Sequence, residues 1–130
     1  MIEITKNVLD PKLVTESVKN DSNGAVVTFV GITRRISEGK MVLYLEYEGY
    51  EVMAMKKLKE ISEEIKTQWP MVELSISHRL GRLEIEEISL VVAVASPHRK
   101  VAFSACSHVV DRIKEIVPIS ETKRSLNFFR

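Results

Sequence analysis

Leu90-Val91-Val92-Ala93-Val94-Ala95-Ser96-Pro97-His98-Arg99-Lys100 joins an apolar run to a charged turn. Six β-favouring or small apolar residues in succession, stopped by Ser-Pro, read as a buried strand. Beyond the turn, Ala102, Cys106, Val109, Ile113 and Val117 recur at steps of three and four, which is the spacing of one helix face. The strand therefore feeds directly into a helix from about His98 to Val117, stopped by Pro118. An imidazole and two cations sit at that helix's N-terminus, where free backbone N–H groups and the dipole favour an anion. Two readings fit this segment equally: a phosphate or carboxylate site, and a capped, solvated helix start.

Outward from this unit, Ile2 to Lys6 alternates as a strand, and Asp10-Pro11 opens a helix with an acidic N-cap and proline at the first position. Leu13, Val14 and Val18 are expected to form its apolar face. Asp21-Ser22-Asn23-Gly24 is a turn, and Ala25 to Val30 a strand ending at Gly31. The polar stretch 33–40 reads as a mobile loop. Val42 to Glu48 alternates, Met53, Met55, Leu58, Ile61, Ile65 and Trp69 mark a long amphipathic helix stopped by Pro70, and Val72 to His78 alternates again before Gly81 breaks the pattern. Ile88 to Ala95 completes the strand before the opening motif. The tail from Ile119 to Arg130 is expected to be an edge strand. Strands joined by short turns, interleaved with three main helices, predict an α+β fold with a largely antiparallel sheet.

The 130 residues read as one domain, 1–130, long enough to bury a core without disulfides or metal. Charged residues make up 28% and the net charge is +1, so composition gives no case for a nucleic-acid or acidic-membrane binder. Apolar runs stop far short of the ~20 residues that span a bilayer, and the alternating N-terminus lacks a signal peptide's apolar core. With a single cysteine, no internal disulfide forms. A cytoplasmic chain is expected.

His78, His98 and His108 have no metal-ligand spacing with one another or with Cys106, and Cys106 falls on its helix's apolar face, as a small core residue would. No glycine-rich phosphate loop and no Gly-x-Ser-x-Gly elbow is present. What remains is a scatter of cations near chain breaks: Arg34 and Arg35, His98 and Arg99, Lys114, Lys123 and Arg124. His98 and Lys114 are 16 residues apart on one expected helix, hence roughly 24 Å at ~1.5 Å per residue. One small ligand cannot be held by both ends of the same helix. If both groups touch one ligand, a second copy of the chain supplies one of them, and a homodimer with composite sites is expected.

Gly24-Ala25-Val26-Val27-Thr28-Phe29-Val30-Gly31 with Arg34 resembles the opening motif of the large, catalytic subunit of molybdopterin synthase, the MoaE family. The resemblance continues in order through Leu45-Glu46-Tyr47-Glu48 with Tyr50 and Met53-Ala54, His78-Arg79-Leu80-Gly81 with Leu83, and Ser96-Pro97-His98-Arg99 with Ala102-Phe103. Asp111 and Lys114 before Pro118 complete it, over about residues 20–120. It implies an α/β-hammerhead-like fold and a homodimeric core of a heterotetramer. The implied partner is a small ubiquitin-like sulfur carrier with a thiocarboxylated Gly-Gly tail. The implied reaction is sulfurtransferase chemistry, in which two successive sulfur transfers turn cyclic pyranopterin monophosphate (precursor Z) into the molybdopterin dithiolene. No metal or other cofactor is implied.

Carried over by position, Lys114 matches the family's catalytic lysine beside the inserted tail, where it stabilises the anionic sulfur donor and moves a proton. Ile32, Thr33 and Arg34 match the first substrate-contact segment, Ile32 and Thr33 through their backbone. His98 and Arg99 match the phosphate- or pterin-contacting pair that reaches across the dimer. After Pro118-Ile119 the family continues with Trp and a second functional lysine, whereas this chain has Ser120 and Glu121, with Lys123 two residues on. Either Lys123 takes that substrate-binding role through a locally longer loop, or Glu121 faces an anionic substrate and weakens its binding. In the second case the chain is a catalytically weakened binding module for the carrier. Glu86 stands where the family usually has a turn glycine, and the sequence stops at Arg130, short of the family's usual C-terminal segment.

Overall fold

The computed structural model describes residues 1–126. In chain order the elements are β1 (Ile2–Thr5), α1 (Pro11–Glu16), β2 (Ala25–Ile32), β3 (Ile36–Ser37), β4 (Lys40–Gly49) and α2 (Glu51–Gln68). They continue with β5 (Glu73–Arg79), β6 (Gly81–Glu84), β7 (Ile88–Ser96), α3 (Arg99–Ile116) and β8 (Ile119–Leu126). The expected α+β class with three helices is what the chain adopts. None of the helices among the described residues is long and apolar enough to cross a membrane.

Two sheets form where a single one was expected. The first has the order β1-β5-β7-β2, with β7 antiparallel to both neighbours and β1 parallel to β5. β7 is buried on both faces, which is why it reads as a continuous apolar run rather than an alternating one. Its Leu90, Val92 and Val94 meet Leu58, Ile61 and Ile65 of α2 and Cys106, Val109 and Ile113 of α3. The alternate residues Val91, Ala93 and Ala95 meet Leu9, Val14 and Val18 on the α1 side. Two small residues on that side let the short α1 lie close. Leu13, expected on the same apolar face, is instead exposed, because only Val14 of this six-residue helix is buried. The Asp10 cap forms as expected, its carboxylate accepting from the Lys12 N–H at 2.9 Å.

The second sheet is built on β4, with β8 along one edge and β3 and β6 following one another along the other. The stretch 33–40 is thus more than a loop: a two-residue turn with positive φ at Glu38 (53°) and Gly39 (74°) folds β3 onto β4. Gly81 bends the chain with φ at +90° and opens β6 rather than ending the strand region. The tail is an edge strand as expected through residue 126, and its aromatic end, 127–130, lies outside the described residues.

The turn between β6 and β7 fastens the two sheets together. The Glu86 N–H donates to the Thr33 carbonyl at 2.9 Å, and the Thr33 N–H donates to the Glu87 carbonyl at 3.0 Å. The Glu87 carboxylate accepts from the Glu84 N–H (2.8 Å) and from Arg79 Nη1 (2.9 Å). These bonds, the backbone one first, hold its pKa below the ordinary 4.5. Glu86 itself is left-handed, with φ at +73°, a region that L side chains enter at a cost.

β5 ends on a buried histidine. His78 Nδ1 lies 2.9 Å from the Arg79 carbonyl, and since a carbonyl only accepts, Nδ1 carries the proton. Burial pushes the His78 pKa below its usual 6.5, partly opposed by that hydrogen bond.

Glu86→Gly should stabilise the fold. Relief of about 1–2 kcal/mol of left-handed strain exceeds the ~0.4–1 kcal/mol lost through a freer unfolded chain, so urea denaturation should show a higher midpoint at unchanged slope. A pH series gives a second test. The unfolded chain protonates His78 at its ordinary 6.5 and the folded chain only at lower pH, so acidification through that interval favours unfolding. Stability should fall from about pH 6.5 downward. The carboxylates of Glu16, Glu64 and Glu87 begin to contribute only below their ordinary 4.5. A His78→Gln chain, less stable at pH 7, should lose the upper part of that slope in equilibrium unfolding.

Candidate functional site

The fastened turn matters because it sets the base of Arg34. Thr33 is buried with both backbone groups engaged by the 86–87 turn, and its side-chain Oγ1 has no partner. Arg34 follows immediately and is exposed. It faces a cleft of about 630 Å³ that runs between the end of β2, the middle of β4, the last turn of α3 and the start of β8. Ile32, Arg34, Tyr47, His78, Lys114 and Glu121 all line it. Lys114 sits in the last turn of α3, where its charge suits the carbonyl end of the helix.

The same cleft carries a carboxylate–phenol pair. β4 and β8 place Tyr47 directly across from Glu121, and the Tyr47 hydroxyl donates to Glu121 Oε2 at 2.6 Å. Burial first, and then this hydrogen bond, push the Tyr47 pKa up to about 12, against a smaller lowering contribution from Ser89. The phenol therefore remains a proton-carrying donor at neutral pH. Its ring meets the His78 ring edge-on, with centroids 5.5 Å apart and an interplanar angle of 75°. With Nδ1 committed to Arg79, a neutral His78 leaves Nε2 as an acceptor.

Lys123 does not line this cleft. It lies two residues further along β8, opposite Leu45, with Nζ 3.8 Å from Glu121 Oε1. Of these two β8 residues the acid lines the cleft with Lys114, and Lys123 is its ionic partner.

His98 and Arg99 occupy different ground. His98 is the N-cap residue of α3, extended at φ −125° and ψ 148°, with no capping bond from its side chain. The Ser96 hydroxyl donates to its carbonyl. Together with Gly24, Pro97, Lys100 and Phe103, the pair lines a separate cleft of about 680 Å³ at the N-terminal end of α3. Gly24 is required there, since a Cβ would stand 2.8 Å from the Pro97 carbonyl oxygen. Within one chain, then, the structure gathers Ile32, Arg34 and Lys114, buries Thr33 beneath them, and leaves His98 and Arg99 at the far end of an 18-residue helix.

Sequence reasoning passed over Tyr47 and His78 as site members, weighing His78 only for metal spacing and Glu121 only as a departure. The alternation of β4 was the available signal for Tyr47; nothing local signals its partner 74 residues away. Cys106 is buried as expected, and burial raises its thiol pKa. Among the described residues, no three His, Cys, Asp or Glu side chains cluster as metal ligands would.

Comparison with known proteins covers nearly the whole chain. The model of the MoaE protein family matches residues 4–116. A relative from Halalkalibacterium halodurans, named molybdopterin synthase catalytic subunit, is 46% identical over 106 residues, covering 82% of this chain and 68% of the relative. The X-ray crystal structure of molybdopterin synthase from Staphylococcus aureus superposes with a TM-score of 0.92 at 42% identity, covering 96% of this chain and 91% of that one. The same fold occurs, at 21% identity and a TM-score of 0.80 over 98% of this chain and 89% of the other, in the complex of subunits 1 and 2 of molybdopterin-converting factor from Helicobacter pylori. The match of sequence over the elements that frame the cleft, and of backbone over almost all of both chains, settles the assignment: the chain belongs to the MoaE protein family, whose curated relatives here are molybdopterin synthase catalytic subunits.

Proposed function

We propose that the chain transfers sulfur from the C-terminal thiocarboxylate of a small ubiquitin-like carrier to precursor Z, forming the molybdopterin dithiolene. The observation that carries this reading is the cleft shared by Arg34 and Lys114, two cations from distant parts of the chain on a surface otherwise lined by apolar and neutral groups and one acid. A thiocarboxylate is anionic, and a donor-only lysine beside it stabilises that charge and supplies a proton as a substrate oxygen departs. Ile113, Val117 and Ile119 give the approach an apolar wall, suited to a thin Gly-Gly tail. The fold's occurrence in a two-subunit complex in Helicobacter pylori agrees with a carrier partner. The chemistry needs no metal or organic cofactor, and the reading places the protein in the cytoplasm with the rest of cofactor synthesis.

The active assembly is a homodimer at the centre of a heterotetramer. His98 and Arg99 lie at the opposite end of α3 from Lys114, so one protomer supplies Lys114 and Arg34 and its partner supplies the His98–Arg99 pair for the substrate phosphate. A second reading is favoured by one observation: Glu121, not a lysine, lines the cleft. A carrier-binding module with weakened catalysis would follow if that charge repels the substrate.

Reconstitution with thiocarboxylated carrier and precursor Z separates these readings. Lys114→Ala should lower turnover by at least about 10²-fold while still binding carrier. Wild-type inactivity with activity appearing only in Glu121→Lys would establish the weakened module instead. Mixing inactive Lys114→Ala and Arg99→Ala chains, with subunit exchange, should restore about a quarter of wild-type activity, because half the dimers are mixed and each of those has one intact composite site. No recovery on mixing would place all the catalytic groups within one protomer.

A further inference from the structure

From the geometry we infer that Glu121 reads the aminopyrimidinone edge of the pterin, as a two-point acceptor flanked by Tyr47 and Lys123 in the cleft it shares with Arg34 and Lys114. The inference rests on the reading of the cleft as a pterin site and adds to it which group faces which edge of the ligand.

The argument starts from what each side chain can do. Arg34 and Lys114 have donors only, so they suit a phosphate or thiocarboxylate and repel an N–H edge. The 2-amino-4-oxopyrimidine ring of a pterin presents two adjacent donors, N3–H and the 2-amino group, and requires two adjacent acceptors. Among the described residues lining the cleft, Glu121 carries the only carboxylate. The other side-chain acceptors are single: the Tyr47 oxygen is one atom, the Ser89 hydroxyl already donates to the Gly31 carbonyl at 3.3 Å, and His78 offers one ring nitrogen on a buried residue. One acceptor cannot satisfy a two-donor edge. A carboxylate does, with two parallel N–H···O bonds.

Glu121 is also oriented for such a role. Its Oε2 accepts from Tyr47 at 2.6 Å, and Oε1 has the Lys123 ammonium at 3.8 Å. Each carboxylate oxygen has two lone-pair sites, so one remains on each for a ligand. The side chain is 37% exposed and borders the cleft. Because Tyr47 stays protonated to about pH 12, it remains a donor to Oε2 and anchors that oxygen of the carboxylate. A cleft lined by two cations and one carboxylate complements a ligand that is anionic at one end and N–H-rich at the other.

The test is equilibrium binding to the purified wild-type chain of a 6-substituted pterin monophosphate and its lumazine counterpart, in which the 2-amino group is an oxo group. No carrier is present, so binding is read apart from sulfur transfer. Wild type should prefer the pterin by about 10- to 100-fold, because the lumazine sets an oxo group against a carboxylate oxygen. Glu121→Gln should reverse the preference, since an amide offers one acceptor and one donor, the pattern that N3–H and a 2-oxo group require. Tyr47→Phe, which keeps the ring and removes the orienting hydroxyl, should reduce the wild-type preference without reversing it. Equal affinity of wild type for both ligands, or a preference unchanged in Glu121→Gln, overturns the assignment of Glu121 and leaves the cleft a pterin site. Failure of wild type to bind either ligand overturns the pterin site itself.

Discussion

The whole molecule depends on burying β7 from both sides. A strand with apolar residues at every position has no face to offer water, so it must lie in the middle of a sheet with layers above and below. β2 and β5 satisfy its backbone on the two edges, α2 and α3 cover one face, and α1 covers the other. Each valine removed from water there contributes about 1.5–3 kcal/mol, more than the propensity of any surrounding residue, and this sets the directions of its neighbours. The exit of β7 leads straight into α3, so the strand also determines where the ends of that helix stand.

From that constraint the site follows by short steps. α3 carries Lys114 to one end of the sheet and His98 with Arg99 to the other. The β6–β7 turn pins Thr33 through two backbone hydrogen bonds and Arg79 through Glu87, and so delivers Arg34 to the Lys114 end. The second sheet completes the cleft by pairing β8 with β4 and bringing Glu121 onto Tyr47. A strained left-handed Glu86 lies in the turn that does the pinning, and the bonds around it are what hold it there.

The balance of charge in the cleft is the feature that sets this chain apart from a purely cationic site. Two cations alone would favour any small anion. In the proposed pterin reading, the phenol-held carboxylate that shares the cleft with them selects ligands that also present hydrogen-bond donors, through the cost of leaving a polar group unpaired. Specificity of this kind comes from an arrangement of acceptors rather than from added attraction.

Much was legible in the sequence because it rests on local periodicity. The apolar run 90–95 gave the central strand, the three- and four-residue steps from Ala102 to Val117 gave α3, and Asp10-Pro11 gave the capped start of α1. Helix rise alone separated His98 from Lys114 and argued that they could not serve one ligand within one protomer. The ordered motifs carried the family. What the sequence could not supply were relations between residues far apart in the chain. The division into two sheets, the parallel pairing of β1 with β5, the clasp of Thr33 by the 86–87 turn and the meeting of Tyr47 with Glu121 all depend on strand register. Register is chosen by which faces can be buried together once the whole chain has collapsed, and no window of sequence contains both partners.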